Sequence, residues 1–191
     1  MLSLSDNEFS VISFLVRNFT EKLTIRSIAQ RLNFSPAGVF NILKKLEKQN
    51  IVVGQKLGTG LFYSINFESK IAEHLSAVVL LYSEEKIEID VEKLRQAKAA
   101  ILDMSVNRKA ISDHDKKSSI FYEKTLLLVV DNVTILDVSI HNVEIITKTE
   151  DEVIALLRKK DSQMLKMLQN GVVLFGEDKV LELIKKCISW I

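Results

Sequence analysis

Apolar residues in the first third of the chain recur at two periods, and the change from one to the other divides it into elements. Phe9, Ile12, Leu15 and Val16 fall at helical spacing behind Ser5 and Glu8, which have the separation of a capping box, so a first helix is predicted from there to about Asn18. Ile25, Ile28, Ala29 and Leu32 repeat the pattern behind Thr24, a residue that accepts from the free N–H groups opening a helix. Asn33 and Phe34 then make a tight corner. Ser35 is the next cap, and Pro36, the single proline, stands at the first helical position, where a missing N–H costs nothing. Val39, Ile42, Leu43 and Leu46 form the inward stripe of this helix, which reaches Lys48. Past Asn50, suited to a left-handed helix end, the period falls to two. Residues 51–57 and 61–66 read as strands joined through Gly58, Thr59 and Gly60, with 23–25 as a candidate third short strand.

Downstream, helix and strand signals alternate. A connecting helix is predicted from residue 68, with Ile71, Leu75, Val78, Val79 and Tyr82 on one face; so apolar a stripe requires a cover, either a second domain or the same helix of another subunit. A helix over 90–99, an apolar segment over 100–102 and a polar loop through Ser119 follow. Strands are predicted at 125–130 and 143–146. Thr149 and Glu152 cap a helix to about Lys159, and a helix at 164–169 is stopped by Asn170 and Gly171. A short apolar run over 172–176 and a helix over 177–190 complete the pattern. The fold class expected is α+β or α/β, with domains at 1–67 and 100–191 joined by a helical region at 68–99.

The face of the 36–48 helix turned away from its apolar stripe carries Ser35, Ala37, Gly38, Phe40, Asn41, Lys44, Lys45 and Lys48. Small and hydrogen-bonding groups near a helix start can approach base edges while lysines farther along meet phosphates, which is the division a major-groove helix needs. A solvated face on an ordinary helical hairpin has the same composition. Phe40 suits contact with a thymine methyl or packing against a neighbour equally well.

Charge favours the first of these readings. The whole chain is +1, but residues 1–66 hold eight basic side chains against four acidic ones, leaving −3 for the remainder. A polyanion is drawn to the N-terminal part and weakly repelled elsewhere.

With 47% apolar and 27% charged residues, no long apolar run and no leading signal segment, the expectation is a soluble, cytoplasmic protein that does not enter a membrane. The lone Cys187 cannot form an internal disulfide and falls in an apolar helical pattern, as a core residue would. His74, His114 and His141 are far apart, and Val78 stands where a second ligand four residues after His74 would be needed. No phosphate-binding loop, dinucleotide fingerprint or zinc spacing occurs, so no cofactor is expected.

In Ser35-Pro36, in 43–48 and in 58–64 the chain resembles the winged helix-turn-helix regulators of bacteria and archaea, over roughly its first third. The resemblance implies double-stranded DNA as partner, read by the 36–48 helix, and a homodimer placing two such helices over two half-sites. The residues implied in DNA contact are Thr24, Arg26, Ser35, Ala37, Gly38, Phe40, Asn41, Lys44, Lys45, Lys48, Lys56, Gly58, Thr59 and Gly60. Neither an operator nor a small-molecule effector is indicated.

The C-terminal part resembles the minimal nucleotidyltransferases, especially archaeal proteins in which a winged helix precedes such a domain; the likeness is strongest in 143–157 and 170–178. In that family one strand leads into a glycine-serine motif at the triphosphate, and a second carries two carboxylates that hold magnesium. Here 102–109 falls on the first motif. Ser105 and Arg108 match, but Met104 and Lys109 replace the glycines that would let the backbone approach phosphate. Aligning 127–130 with the second strand puts Lys124 and Leu126 at the metal positions, and neither binds magnesium.

A transcription regulator with a catalytically inactive nucleotidyltransferase-like domain for dimerisation or sensing is the reading these residues favour. Two alternatives stay open. One is a divergent magnesium-dependent nucleotidyltransferase acting on a protein or RNA through Asp113 and Asp115, whose spacing is that of a metal pair but whose surroundings are a polar loop. The other is a protein-binding scaffold using the apolar face of the connecting helix.

Overall fold

The computed structural model of the chain describes residues 3–82, 89–103, 124–131 and 140–188. Helix α1 (Asp6–Arg17) starts at the capping box, with Ser5 Oγ accepting from the Glu8 N–H at 3.3 Å and the Glu8 carboxylate accepting from the Ser5 N–H at 2.9 Å. Thr24 and Ser27 cap α2 (Ile25–Leu32) in the same reciprocal way, and Asn33 ends it in left-handed backbone at φ 56°. After this corner comes α3 (Pro36–Lys48), its start set by Pro36 and by Ser35, whose Oγ accepts from the Gly38 N–H at 3.0 Å. Asn50 turns the chain out of α3, again left-handed at φ 60°.

Strands β1 (Val52–Leu57) and β2 (Gly60–Ile65) then pair antiparallel across the two-residue connection Gly58-Thr59, so Gly60 belongs to the second strand and not to the turn. Leu23 bridges Tyr63, its carbonyl accepting from the Tyr63 N–H at 2.8 Å; this single bridge stands in place of the short third strand expected over 23–25, because Thr24 caps α2 and Ile25 begins it. Val11, Ile12 and Val16 of α1, Ile28 of α2 and Val39, Leu43 and Leu46 of α3 close the core of this winged helix-turn-helix with no exposed surface.

Helix α4 (Lys70–Leu81) buries Ala72, Ser76 and Val79, and the Arg17 guanidinium donates to the Val79 carbonyl at 2.9 Å. Val79 therefore turns inward, away from the stripe in which the sequence grouped it. Ile71 at 47% and Val78 at 51% remain exposed, as does Tyr82 just past the helix end.

The chain divides into two compact units, one of the described residues up to Val79 with Ile188, the other Leu80–Cys187. The second holds a four-stranded sheet in the order β5-β4-β3-β6, built from β3 (Ala99–Asp103), β4 (Lys124–Val130), β5 (Val143–Thr149) and β6 (Val172–Phe175). β3 runs antiparallel to β4 and β6, and β5 parallel to β4. Three helices complete the unit: α5 (Glu150–Arg158), capped by Thr149 and Glu152 as expected, α6 (Ser162–Asn170) and α7 (Glu177–Ile188). Lys179 and Lys186 of α7 hold Glu150 at the start of α5 at 2.7 and 2.5 Å. β3 is buried along its whole length and β4 from Thr125 onward, as central strands covered on both faces are.

The helix expected over 90–99 is not formed. A single 3₁₀ turn, Val91–Leu94, is followed by β3, which begins at Ala99. Tertiary packing overrides the helical preference of alanine here. Ala97 and Ala100 are buried beside Leu94, Leu102 and Leu126, and Gly176 approaches so closely that a Cβ on it would overlap the Lys98 carbonyl and Ala99. Ala99 is thus small because the crossing backbone needs the room.

Gly176 also has left-handed backbone at φ 75°. Gly176→Ala is expected to destabilise the second unit by about 2 kcal/mol or more, from overpacking and backbone strain together. Gly58→Ala, also at positive φ but with nothing within 4 Å of its Cβ, should cost about 1 kcal/mol. Urea denaturation followed by circular dichroism measures both.

Candidate nucleic-acid interface

The interface candidate is built on α3, because its two faces are chemically opposite. Val39, Leu43 and Leu46 are fully buried and Ile42 half-buried, which rotates Ala37, Phe40, Asn41, Lys44, Lys45 and Lys48 outward. Phe40 is 44% exposed. Ser35 is exposed with its hydroxyl oxygen on the Gly38 N–H, and Gly38 leaves that cap room, since a Cβ there would lie 3.0 Å from Ser35 Oγ.

Thr24 is partly buried and its hydroxyl caps α2, whereas Arg26 stands exposed on the first turn of the same helix. On the hairpin, Lys56, Gly58 and Thr59 are exposed; Gly60 is partly buried, and a side chain there would run into the Phe62 ring.

The cations of this surface differ in how they are held. Lys44 Nζ lies 2.8 Å from Glu47 in a pair whose members are both exposed, and that partner raises the Lys44 pKa. Arg31 is tied down, stacked 4.7 Å over the Phe14 ring while bonding Glu21 at 2.5 Å and Asn18 at 2.7 Å. Arg26, Lys48 and Lys56 make no ion pair among the described residues.

Lys45 is different again. Its Nζ lies 2.6 Å from Glu8 Oε1, and Glu8 is only 5% exposed. The ammonium of Lys45 and the Ser5 N–H hold the Glu8 carboxyl below its usual range against the opposing effect of burial.

Two features of the surface escaped the sequence. One is the Lys45–Glu8 pair, which joins α3 to α1 and has no local signature. The other is Gly54 on β1, where a Cβ would meet both the Glu47 carboxylate and the Tyr63 ring at 3.2 Å; its lack of a side chain lets α3 lie against the hairpin. A glycine inside a strand pattern is the available signal for such an approach.

In the second unit, Lys124 and Leu126 share one face of β4. Leu126 has no exposed surface and packs with Leu94, Ala97, Ala100 and Leu102, with Ile89 against the same cluster. Asp103 and Thr125 are a buried cross-strand pair on β3 and β4. Met104, Ser105, Arg108, Lys109, Asp113, His114 and Asp115 lie outside the described residues. Among the described residues, no three His, Cys, Asp or Glu side chains gather as a metal site would require, and no helix is long and apolar enough to cross a membrane.

Residues 2–58, under half of the chain, match the model of the MarR family. No curated protein matches the chain. Among solved structures it is similar to MepR, a transcription regulator of the Staphylococcus aureus multidrug efflux pump MepA, at 16% identity and a TM-score of 0.36, over 40% of this chain and 58% of that one. It is similar to the zinc-responsive MarR family member ZitR of Lactococcus lactis at 23% identity and a TM-score of 0.33, over 39% of this chain and 50% of that one. With CymR, the global cysteine regulator of B. subtilis, the identity is 19% and the TM-score 0.32, over 49% of this chain and 78% of that one. The chain thus spans little more than half the length of the first two, and at these TM-scores the family match is the finding that stands. The N-terminal segment of this chain, a winged helix in its fold, is similar to the MarR family over residues 2–58.

Proposed function

We propose that the chain is a sequence-specific double-stranded-DNA-binding regulator of transcription, with α3 in the major groove and the β1–β2 hairpin on the flanking backbone. The observation that carries this reading is the division of α3: on a winged helix similar to the MarR family, its buried stripe leaves Ala37, Phe40 and Asn41 outward near the start and Lys44 and Lys48 outward toward the end. Arg26, Lys48 and Lys56, without an ion-pair partner among the described residues, are cations for phosphate. Lys44 joins them, because its pair with Glu47 lies at the surface, where an ion pair is weak and exchanges for a phosphate at little cost.

The second unit is read as a nucleotidyltransferase-like frame without the chemistry. What supports this is the formation of β5 with α5, and of β6 with α7, from the two stretches that carried the resemblance. The metal positions hold Lys124 and Leu126, and the face they share is filled at Leu126 by Leu94 and Ala97. An Asp restored at 126 would be a carboxylate inside an apolar cluster. A role in assembly or sensing, without catalysis, follows.

The partner proposed for assembly is a second copy of the chain. Ile71, Leu75, Val78 and Tyr82 succeed one another at intervals of four, three and four residues, the spacing of a two-helix seam, and three of them are well exposed.

Two measurements test these proposals. Lys44→Ala with Lys48→Ala should weaken binding to duplex DNA and lower the slope of log affinity against log salt by about 1.8, two phosphates at roughly 0.9 each; an unchanged slope removes α3 as the reading helix. Ile71→Glu with Val78→Glu should turn a dimer into a monomer in sedimentation equilibrium without loss of helical circular dichroism. A wild-type chain that sediments as a monomer at micromolar concentration rules out the second copy.

A further inference from the structure

We infer that Lys45, although it lies on the outward face of α3, is a positioning residue that docks α3 on α1 through Glu8 and makes no contact with DNA phosphate. This rests on the reading of α3 as the DNA-contacting helix and separates its lysines into two kinds.

The argument is one of what each lysine would leave behind. Glu8 is nearly buried, and both its oxygens are engaged: Oε2 accepts from the Ser5 N–H at 2.9 Å and Oε1 faces Lys45 Nζ at 2.6 Å. Lys45 also reaches the Ser3 carbonyl at 3.5 Å, so its ammonium is drawn toward the start of α1 from two sides. No other charged group acts on Glu8 among the described residues. If Lys45 swung out to a phosphate, a desolvated carboxylate would lose the one counter-charge it has among the described residues. Lys44 meets a smaller obstacle, since the side chain of the Glu47 it would abandon is 36% exposed against 7% for Glu8. Adjacent residues with the same side chain therefore do different work: Lys44 and Lys48 are free to release counterions from DNA, and Lys45 fixes the angle at which they are presented.

The test is a salt titration of the full chain on a random-sequence 30-base-pair duplex, comparing wild type with Lys44→Gln, Lys48→Gln, Lys45→Gln and Lys45→Arg. Lys44→Gln and Lys48→Gln should each lower the slope by about 0.9. Lys45→Gln should leave the slope at the wild-type value, while reducing affinity a few-fold by the same factor at every salt concentration, at a temperature where its circular dichroism is native. Lys45→Arg should restore that affinity. A slope lowered by about 0.9 in Lys45→Gln overturns the inference, and so does unchanged affinity.

Should Lys45→Gln not fold, Glu8→Gln with Lys45→Met removes both charges at once, and the same slope criterion applies to it. A wild-type chain that binds no duplex overturns the function proposed above, and melting then decides the docking by itself. Glu8 has a lowered pKa when folded, so its stabilisation is complete above its ordinary value of 4.5 and is lost as pH falls through the folded value. Lys45→Gln should therefore melt below wild type at pH 6 and approach it as pH falls toward 3; equal melting at pH 6 overturns the docking.

Discussion

Burying the apolar stripe of α3 while keeping its lysines in water is the constraint on which the N-terminal unit rests. Val39, Leu43 and Leu46 are each fully buried, and every such side chain contributes on the order of 2 kcal/mol, an upper figure because the unfolded chain already hides some apolar surface. The caps contribute about 1 kcal/mol apiece, less than burial does, but they decide where the helix begins. Ser35 and Pro36 start α3 at one residue and not its neighbour, and Asn33 aims the chain at that point. Burial supplies the stability, and the corner supplies the direction.

Features written in neighbouring residues were legible, since each depends on groups a turn apart. The Ser5–Glu8 and Thr149–Glu152 boxes, the Thr24 and Ser35 caps, the corner at Asn33, the left-handed Asn50 and, apart from Gly60, the hairpin appear where their spacing predicts. Features that depend on a distant partner were not. The alanines at 97, 99 and 100 have a helical signature, and only the approach of Gly176 and the packing of Leu94 and Leu126 turn their small size into a strand requirement. Val79 falls in an apolar stripe whether it faces in or out, and the Arg17 bond to its carbonyl belongs to a contact no local pattern encodes. The interface divides in the same way. The outward residues of α3 followed from its period, whereas the bond that occupies Lys45 crosses from one helix to another.

The second unit shows how a fold constrains the chemistry it can host. Strand β4 is central and apolar on both faces, so a ligand set there needs an opening in the layer above it. Residues 89–97 fill that layer beside Leu126. Placing a carboxylate at that position would require moving the covering turn as well as changing one side chain.

The hairpin tip is built in the opposite way. Gly58 bends left-handed into open space, and the two-residue link it begins touches no core residue that would register a change in size. The pairs from Val52–Ile65 to Leu57–Gly60 lie outside that link, so a change of charge at Thr59 leaves them in place. The tip is therefore a place, among the described residues, where a side chain can change with little consequence for the scaffold that carries it.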